Sequence, residues 1–435
     1  MELTTTHSAD RLPSVLDQTN RKTRHILSGL LDGSELSIPD ALTLVEAVGP
    51  DLHAMTMVAD EMKRRQVGDI VTYVVNRNIN FTNVCIKHCA FCAFSRDHRE
   101  EEGYLLPIEE VVRRAREAWE LGATEACIQA GLPPKLDGWF YVELVLALKK
   151  ALPQLHLHAF SPEEVLYGAT RAGVSIREYL EALKAAGHDT LPGTSAEILD
   201  DQIRDLISRG RISTRQWVEV VTTAHSLGIR TTATIMYGHV ETHSHWVHHL
   251  ALLREIQRET HGFTEFVPLS FIHQEAPMYR KGLLAGVRRG PTGAEVVKMH
   301  ALARLMLGPT FTHIQSSWVK EGPKLAQWLL TAGADDLGGT LINESISTSA
   351  GAPHGQLVAP SELRRMIRDL GRTPAQRSTT YQLLKVFGGA ADEECGPLDR
   401  VEHAEERFGS YRALTASREF RFQQSSRSAT QQTLA

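Results

Sequence analysis

Short runs of β-branched and apolar residues alternate along this chain with longer stretches in which apolar residues recur every three or four positions. The strand-like runs are 71–80, 125–129, 155–160, 189–192, 230–237, 265–269, 312–315 and 336–342. Amphipathic segments separate them, such as 108–121 before the second run and 213–227 before the fifth. Alternating strand and helix patterns predict parallel βα units. The number of units points to an α/β fold of the TIM-type (βα)8 kind, not an open doubly wound sheet.

The flanks follow other patterns. Ser37 predicts the cap of a helix carrying Leu42, Val45 and Val48 on one face and ending at Gly49-Pro50; a second helix runs from Asp51 through Leu52, Met55, Val58 and Met62 to Gly68. This divides the chain into a partly disordered N-terminus (1–35), an N-terminal helical extension (36–70) and a barrel core (71–310). The last barrel units and a C-terminal helical region from about Pro360 follow (311–390), then a polar, partly disordered tail (391–435), rich in Ser, Gln, Thr and Arg from Ser417 onward.

A barrel of this kind clusters its chemistry at the C-terminal ends of the strands. The polar, glycine-containing runs fall there. Cys85, Cys89 and Cys92 follow the first strand; Gln129-Ala130-Gly131-Leu132-Pro133 closes the second, where Gly131 would let backbone amides approach a ligand carboxylate. The run from Gly193 to Glu197 closes the fourth, with Ser195 beside a Glu197 carboxylate suited to ribose hydroxyls or an ammonium. Tyr237-Gly238-His239-Val240-Glu241 closes the fifth, Ser270 and His273 follow the sixth, Ser316-Ser317-Trp318 the seventh, and Asn343-Glu344-Ser345 the eighth. His243, His245, His248 and His249 lie beyond a strand end at helical spacing with Trp246 and Leu250, and read as a helix face instead of a metal site.

The cysteine spacing adds the chemistry. CxxxCxxC sets three thiolates in one loop, whereas a [4Fe–4S] cubane normally takes four, so one iron keeps an open position. Such an iron can chelate the amine and carboxylate of S-adenosylmethionine, and the reduced cluster can split that sulfonium to a 5′-deoxyadenosyl radical. Two alternatives remain open at this point: a zinc site with His88 as fourth ligand, and a chance grouping. Cys127, in an apolar strand, reads as a buried small hydrophobe, and Cys395 as an exposed bystander.

Composition narrows the class. The 435 residues carry 47 Lys plus Arg against 52 Asp plus Glu, a formal charge of −5 with no long block of one sign, which argues against a nucleic-acid or anionic-membrane surface. No apolar stretch approaches the roughly 20 residues needed to span a bilayer. The polar start Met1-Glu2-Leu3-Thr4-Thr5-Thr6 lacks the parts of a signal peptide. These features predict a cytoplasmic, oxygen-sensitive protein.

The stretch Asn76-Arg77-Asn78-Ile79-Asn80-Phe81-Thr82-Asn83, with the cysteine triplet and Ala93-Phe94, resembles radical S-adenosylmethionine enzymes of the branch that makes deazaflavin and menaquinone precursors. The runs 234–242 and 342–347 are most similar to the tyrosine-cleaving 4-hydroxyphenyl transferase family of deazaflavin Fo and coenzyme F420 biosynthesis. The resemblance implies a radical SAM barrel and a [4Fe–4S] cluster on Cys85, Cys89 and Cys92, with S-adenosylmethionine on its open iron and Phe91 near the adenine. It implies L-tyrosine and 5-amino-6-(D-ribitylamino)uracil as substrates, a low-potential electron donor, and a companion radical enzyme that closes the deazaflavin ring as a candidate partner. Tyr237, His239, Glu241, Ser270, His273, Ser317 and Glu344 are then the candidates for gripping the substrates. The family's QGGLHP reads Gln129-Ala130-Gly131-Leu132-Pro133-Pro134 here, which puts in question any contact needing extra backbone freedom at 130 or an imidazole at 134. Rival readings are a menaquinone-pathway relative and, outside enzymes, an iron–sulfur electron carrier or zinc-stabilised scaffold.

Overall fold

The first predicted strand is broken in two at Val75, and the break lets it serve two sheets. In the computed structural model of the chain, which describes residues 8–389 and 395–422, β1 is Ile70–Val74 and β2 is Asn76–Ile79. The other strands are β3 (Glu125–Ile128), β4 (His156–Ala159), β5 (Thr190–Leu191), β6 (Arg230–Tyr237), β7 (Phe263–Ser270), β8 (His313–Ile314), β9 (Asp336–Gly339), β10 (Thr373–Arg377) and β11 (Leu383–Val386). β2 to β8 form one curled parallel sheet in sequence order, while β1 pairs in parallel with β9 and β10. The ring is completed by single bridges, Gln315 with Asp336 and Ile342 with Arg77. The Asn78 amide donates to the Ile342 carbonyl at 3.1 Å across the last seam. All eight predicted barrel strands are present, and their connecting helices form the outer layer. Trp217, Trp246 and Trp318 are fully buried. Among the described residues no helix is long and apolar enough to cross a membrane.

Several expectations for the flanks are corrected. Residues 8–31 are not patternless: helices Ser8–Leu16 and Arg21–Leu31 pack on the helix Pro50–Val67, the second capped by the Asn20 side chain. Each is too short to be stable alone, and a polar Arg21-Lys22-Thr23-Arg24-His25 start hides the buried face of Ile26, Leu27 and Leu30. Val48, expected on a buried face, is 70% exposed. The helix Pro360–Asp369 stands as expected, but β10 and β11 follow it where further helix was anticipated. β10 contains Pro374 and Gln376, which mask a strand in sequence; β1 supplies the pairing.

The tail is likewise ordered over its described part. Helices Ala404–Phe408 and Tyr411–Ala416 return over the cysteine loop, where the Tyr411 hydroxyl donates to the Phe94 carbonyl at 2.9 Å. Asn343 Nδ2 donates to the carbonyls of Phe408 and Gly409. Disorder was expected from Ser417 on, yet 417–422 run beside the 103–105 segment, with Phe422 N donating to Gly103 O at 2.8 Å. The expected disorder of 1–7 and 423–435 lies outside the described residues.

The N-terminal end of the barrel is plugged. Arg377, at the end of β10, makes a bidentate ion pair with Asp336 at 2.5 and 3.0 Å. Its guanidinium lies 4.0 Å from the Tyr381 ring, which stacks on His313 at 3.6 Å.

Candidate active site

The cysteine loop lies across the C-terminal mouth of the barrel, stitched to its surroundings by backbone bonds. Ile86 N donates to Leu132 O, Cys85 N to Arg96 O, and Ala90 N to Ile207 O. The three thiols line one cavity of about 380 Å³ that runs from this mouth down the barrel axis to Arg377 and Thr379. Cys89 is 7% exposed. Burial pushes the Cys85 and Cys89 thiols up, against the pull of Arg211 on both. Thiolates here therefore need further positive charge, which iron supplies when it binds. No three His, Cys, Asp or Glu side chains among the described residues converge on a single ion. A cubane does not ask for that, since each thiolate takes its own iron. His88 is turned out to Asp97 at 3.4 Å and does not line the cavity, so it is not placed as a fourth ligand.

Around the mouth, the loop after β5 holds two non-glycine residues with left-handed backbone, Ser195 at φ 64° and Glu197 at φ 40°. Such strain is kept where surrounding structure enforces it and clusters at functional sites. Arg211 does the enforcing: its guanidinium donates to Ser195 Oγ at 2.5 Å and Glu197 Oε1 at 2.8 Å, and ion-pairs with Glu163. The other Glu197 oxygen is buried without a hydrogen bond, its nearest charge partner being the Arg204 guanidinium at 3.6 Å. An acceptor with that spare capacity fits a ligand hydroxyl, such as those of the S-adenosylmethionine ribose. Phe91, expected near the adenine, lies under Arg211 at 5.8 Å but is not on the cavity wall, whereas Gln129 is, its Oε1 accepting from Thr194 Oγ1 at 2.8 Å.

Gly131 lines the cavity, but its N–H is taken by Thr82 O at 2.9 Å, so that amide is not offered to a ligand. A Cβ there would stand 2.3 Å from the Val84 carbonyl oxygen; the glycine lets the cysteine loop close on β3. Ala130 needs no special backbone freedom, since its φ is not positive and its N–H donates to Glu164 Oε1 at 3.0 Å. Burial raises the Glu164 carboxyl to about 7. Pro134 is not on the cavity wall.

The structure separates the predicted substrate-gripping residues. Ser317 and Glu344 line the cavity; Tyr237, His239, Glu241, Ser270 and His273 do not. The reason is the two-residue period of a strand. Thr232, Thr234 and Met236 of β6 and Glu265, Val267 and Leu269 of β7 point inward, so Tyr237 and Ser270 point out toward the helices, where they meet at 3.3 Å. Glu241 staples its own loop, accepting from Gly238 N, His239 N and Trp246 Nε1. His239 bonds Met236 O and Val240 N, and His273 packs on Tyr279.

Other residues on the wall escaped the sequence reading: Lys87, Glu163, Glu164, Arg211, Gln315 and Lys320. Glu163 and Glu164 left a signal in the Ser161-Pro162-Glu163-Glu164 capping box. Cys127 also faces the cavity rather than a packed core, its thiol pushed to about 12 by burial. Lower in the barrel the wall stays polar, with Asn76, Glu125, His158 and Gln315 where a packed barrel would carry branched apolar side chains. Burial lowers His158 to about 4, so it is neutral.

Comparison with known proteins agrees with this architecture. Residues 79–253 match the radical SAM superfamily and 260–388 the CofH/MqnC C-terminal region. The chain is 48% identical to the 5-amino-6-(D-ribitylamino)uracil–L-tyrosine 4-hydroxyphenyl transferase of Methanocaldococcus jannaschii, over 81% of this chain and 98% of that one. The same enzyme of Methanothermobacter thermautotrophicus is 48% identical over 83% and 97%. FO synthase of Mycobacterium leprae is 51% identical over 79% of this chain but only 39% of its own length; the chain spans about two fifths of such relatives. In fold it resembles the hydrogenase maturase HydG of Carboxydothermus hydrogenoformans (TM-score 0.65, 16% identity, 86% of this chain and 84% of that one) and methylornithine synthase PylB (0.61, 19%, 80% and 97%).

Proposed function

Because the chain belongs to the radical S-adenosylmethionine superfamily, in the family of CofH-type 4-hydroxyphenyl transferases, we propose that it cleaves L-tyrosine at Cα–Cβ and joins the 4-hydroxybenzyl group to C5 of 5-amino-6-(D-ribitylamino)uracil. The products are 5-amino-5-(4-hydroxybenzyl)-6-(D-ribitylimino)-5,6-dihydrouracil, 2-iminoacetate, L-methionine and 5′-deoxyadenosine, a step toward deazaflavin Fo. The observation that carries the reading is the match to the curated transferases over nearly their whole length, by a chain whose three thiols open on a cavity that also carries charged side chains such as Glu197, Arg211 and Lys320.

A [4Fe–4S] cluster and S-adenosylmethionine, which the family implies, supply the radical that removes a hydrogen atom from the substrate. In our reading Cys85, Cys89 and Cys92 hold the cluster, and Ser195, Glu197, Gln129 and Phe91 bind the cofactor. Arg211 fixes the strained Ser195–Glu197 turn, so that its acceptors stand ready before the cofactor arrives. The polar wall below, from Asn76 to His158, suits the hydroxyl-rich ribityl chain. The barrel wall around the lower cavity limits the access of water and stray hydrogen donors to reactive intermediates. We place the protein in the cytoplasm, fed by a low-potential electron donor and handing its product to a companion ring-closing enzyme.

The test is an anaerobic assay of iron-reconstituted protein with dithionite, S-adenosylmethionine, tyrosine and the diaminouracil, read by mass spectrometry. 5′-Deoxyadenosine together with the coupled adduct supports the reading. 5′-Deoxyadenosine without adduct overturns the substrate pair, and neither product from protein with an intact cluster overturns the transferase.

A further inference from the structure

Four basic side chains, apart from the neutral His158, line the cavity, and three of them are matched. Lys87 pairs with Glu163 at 3.0 Å, Arg211 with Glu197 at 2.8 Å and Arg377 with Asp336 at 2.5 Å. Lys320 has no ion pair and no side-chain hydrogen bond among the described residues. Its two acidic neighbours are engaged elsewhere. The Glu344 carboxylate accepts from Ser347 N at 2.8 Å and Thr348 N at 3.3 Å, while Glu321 accepts from Ser270 Oγ at 2.5 Å and is raised to about 7 by burial. Burial also lowers Lys320 itself, the Glu344 and Glu321 carboxylates offsetting it only in part.

The side chain is nevertheless held in place. Lys320 lies on the short helix Trp318–Glu321, which follows β8. Trp318 pins that helix by donating from its indole to Gly339 O at 2.8 Å. On the preceding turn the Ser317 hydroxyl also lines the cavity without a hydrogen-bond partner among the described residues. A lysine with no ion pair among the described residues and a hydroxyl three residues before it, on one short helix and lining one cavity, make a site for an anion.

Among the reactants proposed above, one anion is left for it. In that reading the carboxylate of S-adenosylmethionine would be taken up at the cluster held by Cys85, Cys89 and Cys92, and the ribityl chain is neutral. We propose that Lys320, assisted by Ser317, anchors the α-carboxylate of the amino-acid substrate, and so selects an amino acid over the corresponding amine. The assignment rests on the reading that tyrosine is a substrate.

Reconstituted holoenzyme tests it with tyrosine and with tyramine, which lacks the carboxylate. Dissociation constants are measured anaerobically alongside the KM for tyrosine, affinity for S-adenosylmethionine, iron content and far-ultraviolet circular dichroism. We expect Lys320→Met to weaken tyrosine about 10- to 100-fold, the range for losing a hydrogen bond to a charged group. Tyramine, S-adenosylmethionine and iron should be unaffected, with Ser317→Ala showing a smaller loss and Lys320→Arg a partial recovery. A Lys320→Met enzyme that keeps the wild-type preference for tyrosine over tyramine overturns the assignment, as does one that loses S-adenosylmethionine in the same proportion. Should Lys320→Met not hold iron or fold, Lys320→Arg and Ser317→Ala decide by the same ratio. A wild type that cleaves S-adenosylmethionine but does not bind tyrosine overturns the substrate reading, and this assignment with it.

Discussion

Gly131 shows how much a single hydrogen in place of a methyl can decide. Its missing Cβ is what lets the Val84 backbone, one residue before the first cysteine, close on the end of β3. Gly131→Ala should cost roughly 1–3 kcal/mol in urea unfolding, as overpacking against backbone does, and should lower iron uptake. Cys89→Ser should retain the fold by circular dichroism but lose iron and 5′-deoxyadenosine formation; full activity in that variant would refute the cluster assignment. Glu164 gives a pH signature. Its carboxyl is raised to about 7 in the folded protein, so between about 4.5 and 7 the folded state binds more protons than the unfolded one and stability falls as pH rises. Glu164→Gln should make the fall in melting temperature across that window shallower but not abolish it, since burial raises the Glu321 carboxyl to about 7 as well, each removed pKa unit being worth about 1.4 kcal/mol. Of these features, the thiols were legible from spacing. The Gly131 contact was not, because its partner lies 47 positions away (131 − 84).

At the scale of the element, the two-residue period of β6 and β7 sorts the polar residues at the barrel mouth. Tyr237 looks functional in sequence because it ends a strand, yet it sits out of phase with Thr232 and Thr234. Tyr237→Phe should therefore leave turnover intact and cost no more than about 1 kcal/mol, the worth of its 3.3 Å bond with Ser270. Loss of turnover without loss of stability would contradict the phase. Strand existence was well marked by apolar runs, whereas which of two faces turned inward was not, since both are buried, one by the cavity wall and one by helices. β10 and β11 were invisible for the opposite reason. β10 carries Pro374, Gln376 and Arg377 and is defined by its pairing with β1, and the exposed β11 by its pairing with β10.

Across the whole molecule the ring is held at both ends by segments distant in sequence. At the mouth, the 404–416 helices cover the cysteine loop; at the far end Arg377 and Asp336 pair in a fully buried site. Arg377→Met should destabilise the protein by about 3–5 kcal/mol, because it leaves the Asp336 carboxylate uncompensated. Calorimetry on Arg377→Met and on the double variant with Asp336→Asn checks this, the second change restoring much of the loss. Sequence alone determined the periodicities, and with them the barrel, together with the thiol triplet and its chemistry, because these depend on residues close along the chain. Only the tertiary structure decided which polar side chains share the cavity, what closes its far end, and that Lys320 stands there with no ion pair among the described residues. Those facts depend on the phase of each strand and on contacts between residues far apart in the chain, which local patterns do not encode.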